Sequence, residues 1–285
     1  MPRMISVVIP VYNGEEYVVQ AVESVLNQSL KVDEIVVVDD CSEDRTPELL
    51  KEHFGSLIKY HRNHKNMERC YSRNRGFELS RGDYVFFLDH DDLWAREHVE
   101  RTMENWGDSY MVYTFPRTTI DSKGRIKRVS KKSIPKNPFL IAFSGLLGYP
   151  SATAFKRDYF LPYKDEYMLR EDWEVFLRAI LMGYKIKVLD HNTVYIREHV
   201  SRTSKSSRLY RGTIKVYQDY RDRIEEKYLP YFLFHVGDVC LRFGDLGKGW
   251  GLVAEALKRE PRLLLSFRNL LTILKRGFRF WRVYD

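Results

Sequence analysis

The stretch from Gly82 to Trp94, GDYVFFLDHDDLW, decides the fold. Its first half, Tyr84 to Leu88, is an unbroken apolar and aromatic run of strand length, as the middle of a parallel sheet covered on both faces requires. Its second half sets Asp89, Asp91 and Asp92 directly where that strand ends. Open α/β sheets take up ligands at the carboxyl ends of their strands. Carboxylates one residue apart supply hard oxygen ligands, which suit Mg²⁺ or Mn²⁺ held beside substrate phosphates. The same residues also suit an acidic turn capping the next helix, and a D-x-D alone does not choose between the two.

Upstream, Met4 to Tyr12 reads as the first strand, and Asn13 with Glu16 three residues on has the pattern of a capping box opening a helix to about Gln28. A second strand, Glu34 to Val38, ends in Asp39 and Asp40, and Thr46-Pro47 opens another helix. A third strand over Leu57 to His61 and a helix from Asn66 to about Leu79 lead through Arg81-Gly82 into the opening stretch. Residues 4–90 therefore alternate strand and helix with short connections, the pattern of a doubly wound, mostly parallel sheet. Polar residues arrive at one edge of it: Tyr12 and Asn13, then Asp39 and Asp40, then Asp89 and Asp91. No G-x-G-x-x-G follows the first strand and no G-x-x-x-x-G-K-[ST] occurs, so neither a dinucleotide site nor a P-loop is supported. With carboxylates in place of glycines, a divalent metal is the natural means of neutralising a diphosphate.

Composition bounds the rest. With 285 residues, 44% of them hydrophobic, the chain can bury a substantial core. Cys41, Cys70 and Cys240 lie far apart, which indicates neither a zinc site nor a disulfide framework and fits a reducing cytosol. The expectation is a cytoplasmic protein with no recognisable export signal and no membrane-spanning segment. A net charge of +8 favours anionic partners.

The runs VVIPVYNGEEYVVQAVESVLNQ, EIVVVDDCSEDRT, SRNRGFELSRGDYVFFLDHDD and REDWEVFLRAI together resemble a family 2 glycosyltransferase with a GT-A fold, over about residues 4–200 and in the family's order. The resemblance implies an α/β catalytic domain over residues 1–205, with a nucleotide-sugar half to about residue 94 and an acceptor half after it, followed by a helical region over 206–285. It implies inverting transfer of a sugar from a nucleotide diphosphate, most often a UDP-sugar, to an acceptor hydroxyl with Mn²⁺ or Mg²⁺. Glycan, cell-surface polysaccharide or glycolipid synthesis is the expected setting. Carried over by motif position, Pro10, Tyr12 and Asp40 line the nucleoside pocket, Arg73 stands beside the base, Asp89 lies near the ribose and diphosphate, and Asp91 ligates the metal. A uracil N3–H wants a carboxylate acceptor, which a strand-end Asp supplies.

Further on, Glu171-Asp172-Trp173 opens a helix whose Trp173, Phe176, Leu177 and Ile180 share an apolar face. Acids in a first helical turn are favoured by the macrodipole, so capping alone accounts for them. The resemblance gives Asp172 a second role, the base that takes the acceptor's proton, with Glu171 orienting the acceptor. His199, in REHVSRTS, matches the family segment that folds over the diphosphate; metal or phosphate contact and a surface histidine are equally open. In the last stretch, Leu263, Phe267, Leu270, Leu271, Leu274, Phe278 and Trp281 recur at helical spacing opposite Arg268, Lys275, Arg279 and Arg282. Residues 262–285 hold six basic side chains and one acid, Asp285, a side-chain charge of +5. Such a helix suits peripheral attachment to an anionic membrane surface, or docks its stripe on the protein itself. Nucleic acid is not expected as a partner. Two other classes compete. A metal-dependent nucleotidyltransferase would carry a glycine-rich basic loop where this chain has PVYNGEEY, and an inactive nucleotide-sugar-binding protein would lack Asp91 or Asp172.

Overall fold

Val7, Val8 and Ile9 have no exposed surface, and the strand that holds them, β1 (Ile5–Val11), lies inside the sheet on which the acidic turn is built. The computed structural model describes residues 3–131, 134–135, 137–167, 169–198 and 206–277. After β1 come α1 (Val18–Leu26), β2 (Glu34–Asp39), α2 (Thr46–Phe54), β3 (Lys59–Arg62), α3 (Glu68–Leu79), β4 (Tyr84–Phe87), β5 (Leu93–Trp94) and α4 (His98–Glu104). The chain continues through β6 (Met111–Thr114), β7 (Thr118–Ile120), β8 (Ile126–Val129), α5 (Pro138–Phe143), β9 (Thr153–Lys156), α6 (Glu171–Leu181), β10 (Ile186–Leu189) and β11 (Val194–Arg197). It closes with α7 (Ser207–Tyr220), α8 (Leu229–Arg242), α9 (Leu246–Arg259) and α10 (Phe267–Gly277). Among the described residues no helix is long and apolar enough to cross a membrane.

The described residues of Met1–Ser133, Tyr149–Asp165 and Gly183–Val200 form one packed unit. Its main sheet has the order β10-β6-β9-β4-β1-β2-β3 and is parallel except for β9, which runs antiparallel to both β4 and β6. A second sheet, β5-β11-β7-β8, includes the β7–β8 hairpin, which turns over Asp121 to Gly124. Because β2 and β3 lie to one side of β1 and β4 returns to the other, the order reverses between β1 and β4. Crevices at such reversals are where open sheets bind ligands.

Hydrogen-bond parity opens this crevice. The carbonyls of Ile5 and Val11 accept from the β2 side, whereas those of Met4 and Val8 accept from Tyr84 and Leu88 on the β4 side. Even-numbered residues therefore face β4, and Pro10, which has no N–H to give, falls just beyond the last β1–β4 bond. The two strands are free to part there.

The predicted capping box at Asn13 does not form. Asn13 adopts a left-handed φ of 49° and its side chain accepts from the Glu43 amide at 2.8 Å, while α1 starts only at Val18. Asn is one of the few residues that enter that region at low cost, and here it ties the loop after β1 to the loop after β2.

The described residues of Ile134–Gly148, Glu166–Met182 and Ser201–Asp285 form the second unit, an all-helical one. Trp173, Phe176, Leu177 and Ile180 of α6 are all buried, as their spacing predicts. Trp173 stacks on Phe232 at 5.6 Å and donates its indole N–H to the Ala142 carbonyl at 2.8 Å.

In the first unit, Phe87 is fully buried among Phe155, Phe160 and Tyr163, with ring centroids 5.6–6.1 Å away. Removing a buried aromatic ring leaves a cavity as well as losing transfer free energy. Phe87→Ala is expected to lower the unfolding free energy by about 3–5 kcal/mol in urea titrations. A loss under about 1 kcal/mol would contradict the packing of β4 described here.

Candidate active site

Beyond Phe87 the chain turns, and Asp89, Asp91 and Asp92 bring one carboxylate oxygen each to within 4.8 Å of one another. The three do not have equal freedom. Asp92 is buried, and both of its oxygens are taken: Oδ2 accepts from the Ser151 hydroxyl at 2.6 Å and Oδ1 from the Arg197 amide at 2.9 Å. Burial, then the charges of Asp91 and Asp89, push its carboxyl well above the usual carboxylate range. Asp92 is thus the anchor of the turn. Asp89 is half-buried, and its Oδ1 receives the Arg73 guanidinium at 2.8 Å. Ser151 also accepts from the Asp89 amide at 3.0 Å, so one serine pins both ends of the turn. Asp91, also half-buried, stands between these fixed points. Hard oxygen donors this close fit a divalent cation, with Asp91 and Asp89 as the carboxylates that could turn toward it.

The residues expected along the nucleotide gather at the same edge. Pro10 is buried in β1, and Tyr12, just beyond the strand, is 39% exposed. Asp39 is consumed by structure, accepting from the Ser42 amide at 2.8 Å and the Tyr60 hydroxyl at 2.6 Å. Asp40 is buried and accepts twice on Oδ1, from Asn63 Nδ2 at 2.7 Å and the Met67 amide at 2.9 Å, which leaves Oδ2 with no partner among the described residues. Arg73 is buried against the Tyr163 ring, 5.3 Å from its centroid, and its salt bridge to Asp89 gives it a definite task in the acidic turn. Its neighbour Asn74 bonds the Tyr163 backbone in both directions, at 2.8 and 2.9 Å. The loop after β1 also reaches the turn, since a Cβ on Gly14 would lie 2.7 Å from the His90 ring. Only glycine permits that approach.

Glu171 and Asp172 belong to the helical unit and are described within it. Glu171 is buried at the start of α6, whereas Asp172 is half-buried and accepts from the Trp173 amide at 2.7 Å. Gly148 lies against this carboxylate: a Cβ there would sit 3.2 Å from Asp172 Oδ2, and its φ of 137° excludes most side chains. The third acid of the helix, Glu174, is buried and holds the Tyr220 hydroxyl and, at 3.0 Å, Arg178. Arg170, just before α6, donates to Thr213 Oγ1 at 2.8 Å and lies over the Trp173 ring; burial pushes its pKa down to about 10. His199 lies outside the described residues.

Sequence reasoning missed Ser151 and Arg197. Arg197 opens the REHVSRTS run, in which only His199 was weighed, and the partners of both residues are 57 to 177 residues away in the chain. An arginine closing the otherwise apolar strand VYIR was a further sign.

The family model "Glycosyl transferase family 2" matches residues 6–164, more than half of the chain. An uncharacterized glycosyltransferase of Haemophilus influenzae is 34% identical over 113 residues, 39% of this chain and 45% of that protein. The amylovoran biosynthesis glycosyltransferase AmsB of Erwinia amylovora is 26% identical over 199 residues, 65% of this chain and 66% of its own length. The chain thus spans from under half to about two thirds of these relatives. Among solved structures, S. aureus TarS 1-349 in complex with UDP-GlcNAc is similar with a TM-score of 0.65 at 18% identity, over 90% of this chain and 81% of that one. The mannosyltransferase PcManGT of Pyrobaculum calidifontis, in complex with GDP-Man and Mn²⁺, is similar with a TM-score of 0.59 at 17% identity, over 98% and 86%. At these identities the likeness shows the GT-A fold.

Proposed function

Since the chain belongs to glycosyl transferase family 2, we propose that it moves a sugar, with inversion, from a nucleotide diphosphate sugar to an acceptor hydroxyl. A UDP-sugar is the preferred donor, and glycan or glycolipid assembly is the setting. The observation that carries this reading is the cluster of Asp89, Asp91 and Asp92 beside the parting of β1 and β4. When bound, Mn²⁺ or Mg²⁺ would neutralise charge on the donor diphosphate and on the departing nucleotide. Asp91 and Asp89 would hold the ion. The open Oδ2 of Asp40 suits the N3–H of uracil, and the exposed Tyr12 ring offers a face for stacking. The acceptor oxygen attacks the anomeric carbon from the face opposite the diphosphate. Asp172 takes its proton as the new glycosidic bond forms and the bond to the diphosphate breaks. Of the two acids at the start of α6, Asp172 retains solvent access and Glu171 is buried, which favours Asp172 as the base.

Peripheral attachment to an anionic membrane face belongs to the same reading, and the helical unit supports it. α10 turns a polar side inward, with Arg276 Nε bonded to Asp238 at 2.9 Å and Asn269 to the Leu263 carbonyl at 3.0 Å. Apolar side chains of α10 and of the turn before it face out: Phe267 is 73% exposed with Leu270 and Leu274 beside it, Leu265 just before the helix is 85% exposed, and Arg262 and Lys275 are exposed cations of the same stretch. Apolar side chains bordered by cations are what an anionic lipid surface receives. Phe278, Arg279, Trp281 and Arg282, which extend the pattern in sequence, lie outside the described residues.

Three measurements test these assignments. Calorimetry with UDP and Mn²⁺ should detect binding that chelator abolishes in the parent and that Asp91→Ala loses while keeping its melting temperature; unchanged UDP affinity would sink the metal assignment. Asp172→Asn should lower kcat by roughly 10²–10⁴-fold with the donor KM little changed, whereas near-normal turnover beside an inactive Glu171→Gln would move the role to Glu171. The full chain should co-sediment with anionic but not neutral vesicles, less so in high salt. Phe267→Glu combined with Leu270→Glu should abolish that association without altering UDP binding, and equal pelleting of parent and variant would refute the role of α10.

A further inference from the structure

Arg197, the last residue of β11, is a buried cation with no carboxylate partner among the described residues. Its Nε donates to the Asp91 carbonyl at 2.7 Å. Nη1 donates to the carbonyls of Asp121 at 3.1 Å and Ser122 at 2.9 Å, and Nη2 to Gln20 Oε1 at 2.9 Å. The guanidinium lies over the Tyr17 ring, 4.5 Å from its centroid, and the Arg197 amide holds Asp92 at 2.9 Å. Every acceptor of the side chain is neutral. A buried charge without a counter-charge is costly to keep, so its location needs a reason, and three acids a few ångströms from one another lie in the turn it grips.

Two physical effects of this arrangement oppose each other. A fixed positive charge near the acidic turn repels an incoming cation. Against that, the five-donor fork joins α1, the turn after β7 and the acidic turn into one frame, and fixes the Asp91 peptide while its neighbour Asp92 is clamped by the same residue. A loose loop of three carboxylates would spread apart by mutual repulsion and would have to be drawn together each time a cation bound. A fixed loop has that cost met on folding. Groups that orient ligands in this way are typically worth about 10–100-fold in metal affinity, and the repulsion from the buried Arg197 charge works against that gain, so the sign of the balance is what Mn²⁺ binding to the variants reads.

We propose that Arg197 is the positioning residue of the acidic turn: by holding the Asp91 backbone and Asp92 together it presets the carboxylates for a divalent cation and the donor diphosphate. The proposal rests on the cation-dependent donor reading above. It predicts that charge alone is insufficient, because lysine at this position keeps the cation but cannot span the four acceptors.

The test is Mn²⁺ binding in the presence of UDP, measured by calorimetry on the full chain, beside donor KM and kcat and a melting curve for each variant. Arg197→Lys should weaken Mn²⁺ binding about 10–100-fold at a temperature where it is folded, and should raise the donor KM more than it lowers kcat. Gln20→Met, which removes one acceptor and leaves the arginine, should weaken Mn²⁺ binding by a smaller factor. It decides the matter should Arg197→Lys fail to fold. Unchanged or tighter Mn²⁺ binding in the folded variants, with only the melting temperature lowered, would make Arg197 a structural residue and overturn the proposal. A parent chain that binds UDP with no response to Mn²⁺ would instead overturn the metal reading, and this inference with it.

Discussion

Three carboxylates gathered at one strand end repel one another, and much of the first unit is arranged to hold them there. Opposite charges and donors are supplied from distant parts of the chain: Arg73 from α3, Ser151 from the segment before β9, and Arg197 from β11. Each uses a different device. Arg73 neutralises Asp89 directly, Ser151 bridges the Asp89 amide and the Asp92 carboxylate, and Arg197 binds main chain. A half-buried acid held by Arg73 and a buried one held by Ser151 and Arg197 thus flank Asp91.

The sheet explains why this cluster sits where a ligand can reach it. Parallel strands that stay paired to their ends leave no gap, but the β1–β4 ladder stops at Val8 and Leu88, and Pro10 lacks the donor that would carry it further. A proline inside a sheet normally weakens it. Here its missing N–H coincides with the point at which strand order reverses, so the defect and the crevice have one cause. Gly14 then lets the loop after β1 close on His90.

Much of this was legible in the sequence, and what was not has a physical pattern. Alternating strands and helices, the run Tyr84 to Leu88, buried from Val85 on, and the apolar face of α6 follow from local periodicity, which the fold preserves. The order in which Tyr12, Asp40 and Asp89 arrive at one edge follows from strand ends alone. Long-range partners do not. Nothing near Arg197 announces Gln20 or Asp91, and the bond from Arg73 to Asp89 is set by how α3 packs on the sheet. Asn13 misled because its capping pattern is local, whereas its real partner, the Glu43 amide, is 30 residues away.

The orientation of α10 is a case where periodicity is clear but its direction is not. A helix with one apolar stripe normally buries that stripe, and the spacing of Phe267, Leu270 and Leu274 would place it inward. Yet Leu263, before the helix begins, is the side chain of this region that is fully covered, and the contacts of α10 with the rest of its unit include the Arg276–Asp238 pair. Such a pair is worth no more than about 1 kcal/mol near solvent. Outward-facing leucines and a phenylalanine of this size would each gain roughly 1.5–3 kcal/mol from full burial. Covering Leu265, Phe267, Leu270 and Leu274 would therefore add more than that pair contributes, which is the physical ground for the membrane attachment proposed above. Under that proposal an anionic lipid surface would take the apolar side chains into its interior while its headgroups meet Arg262 and Lys275.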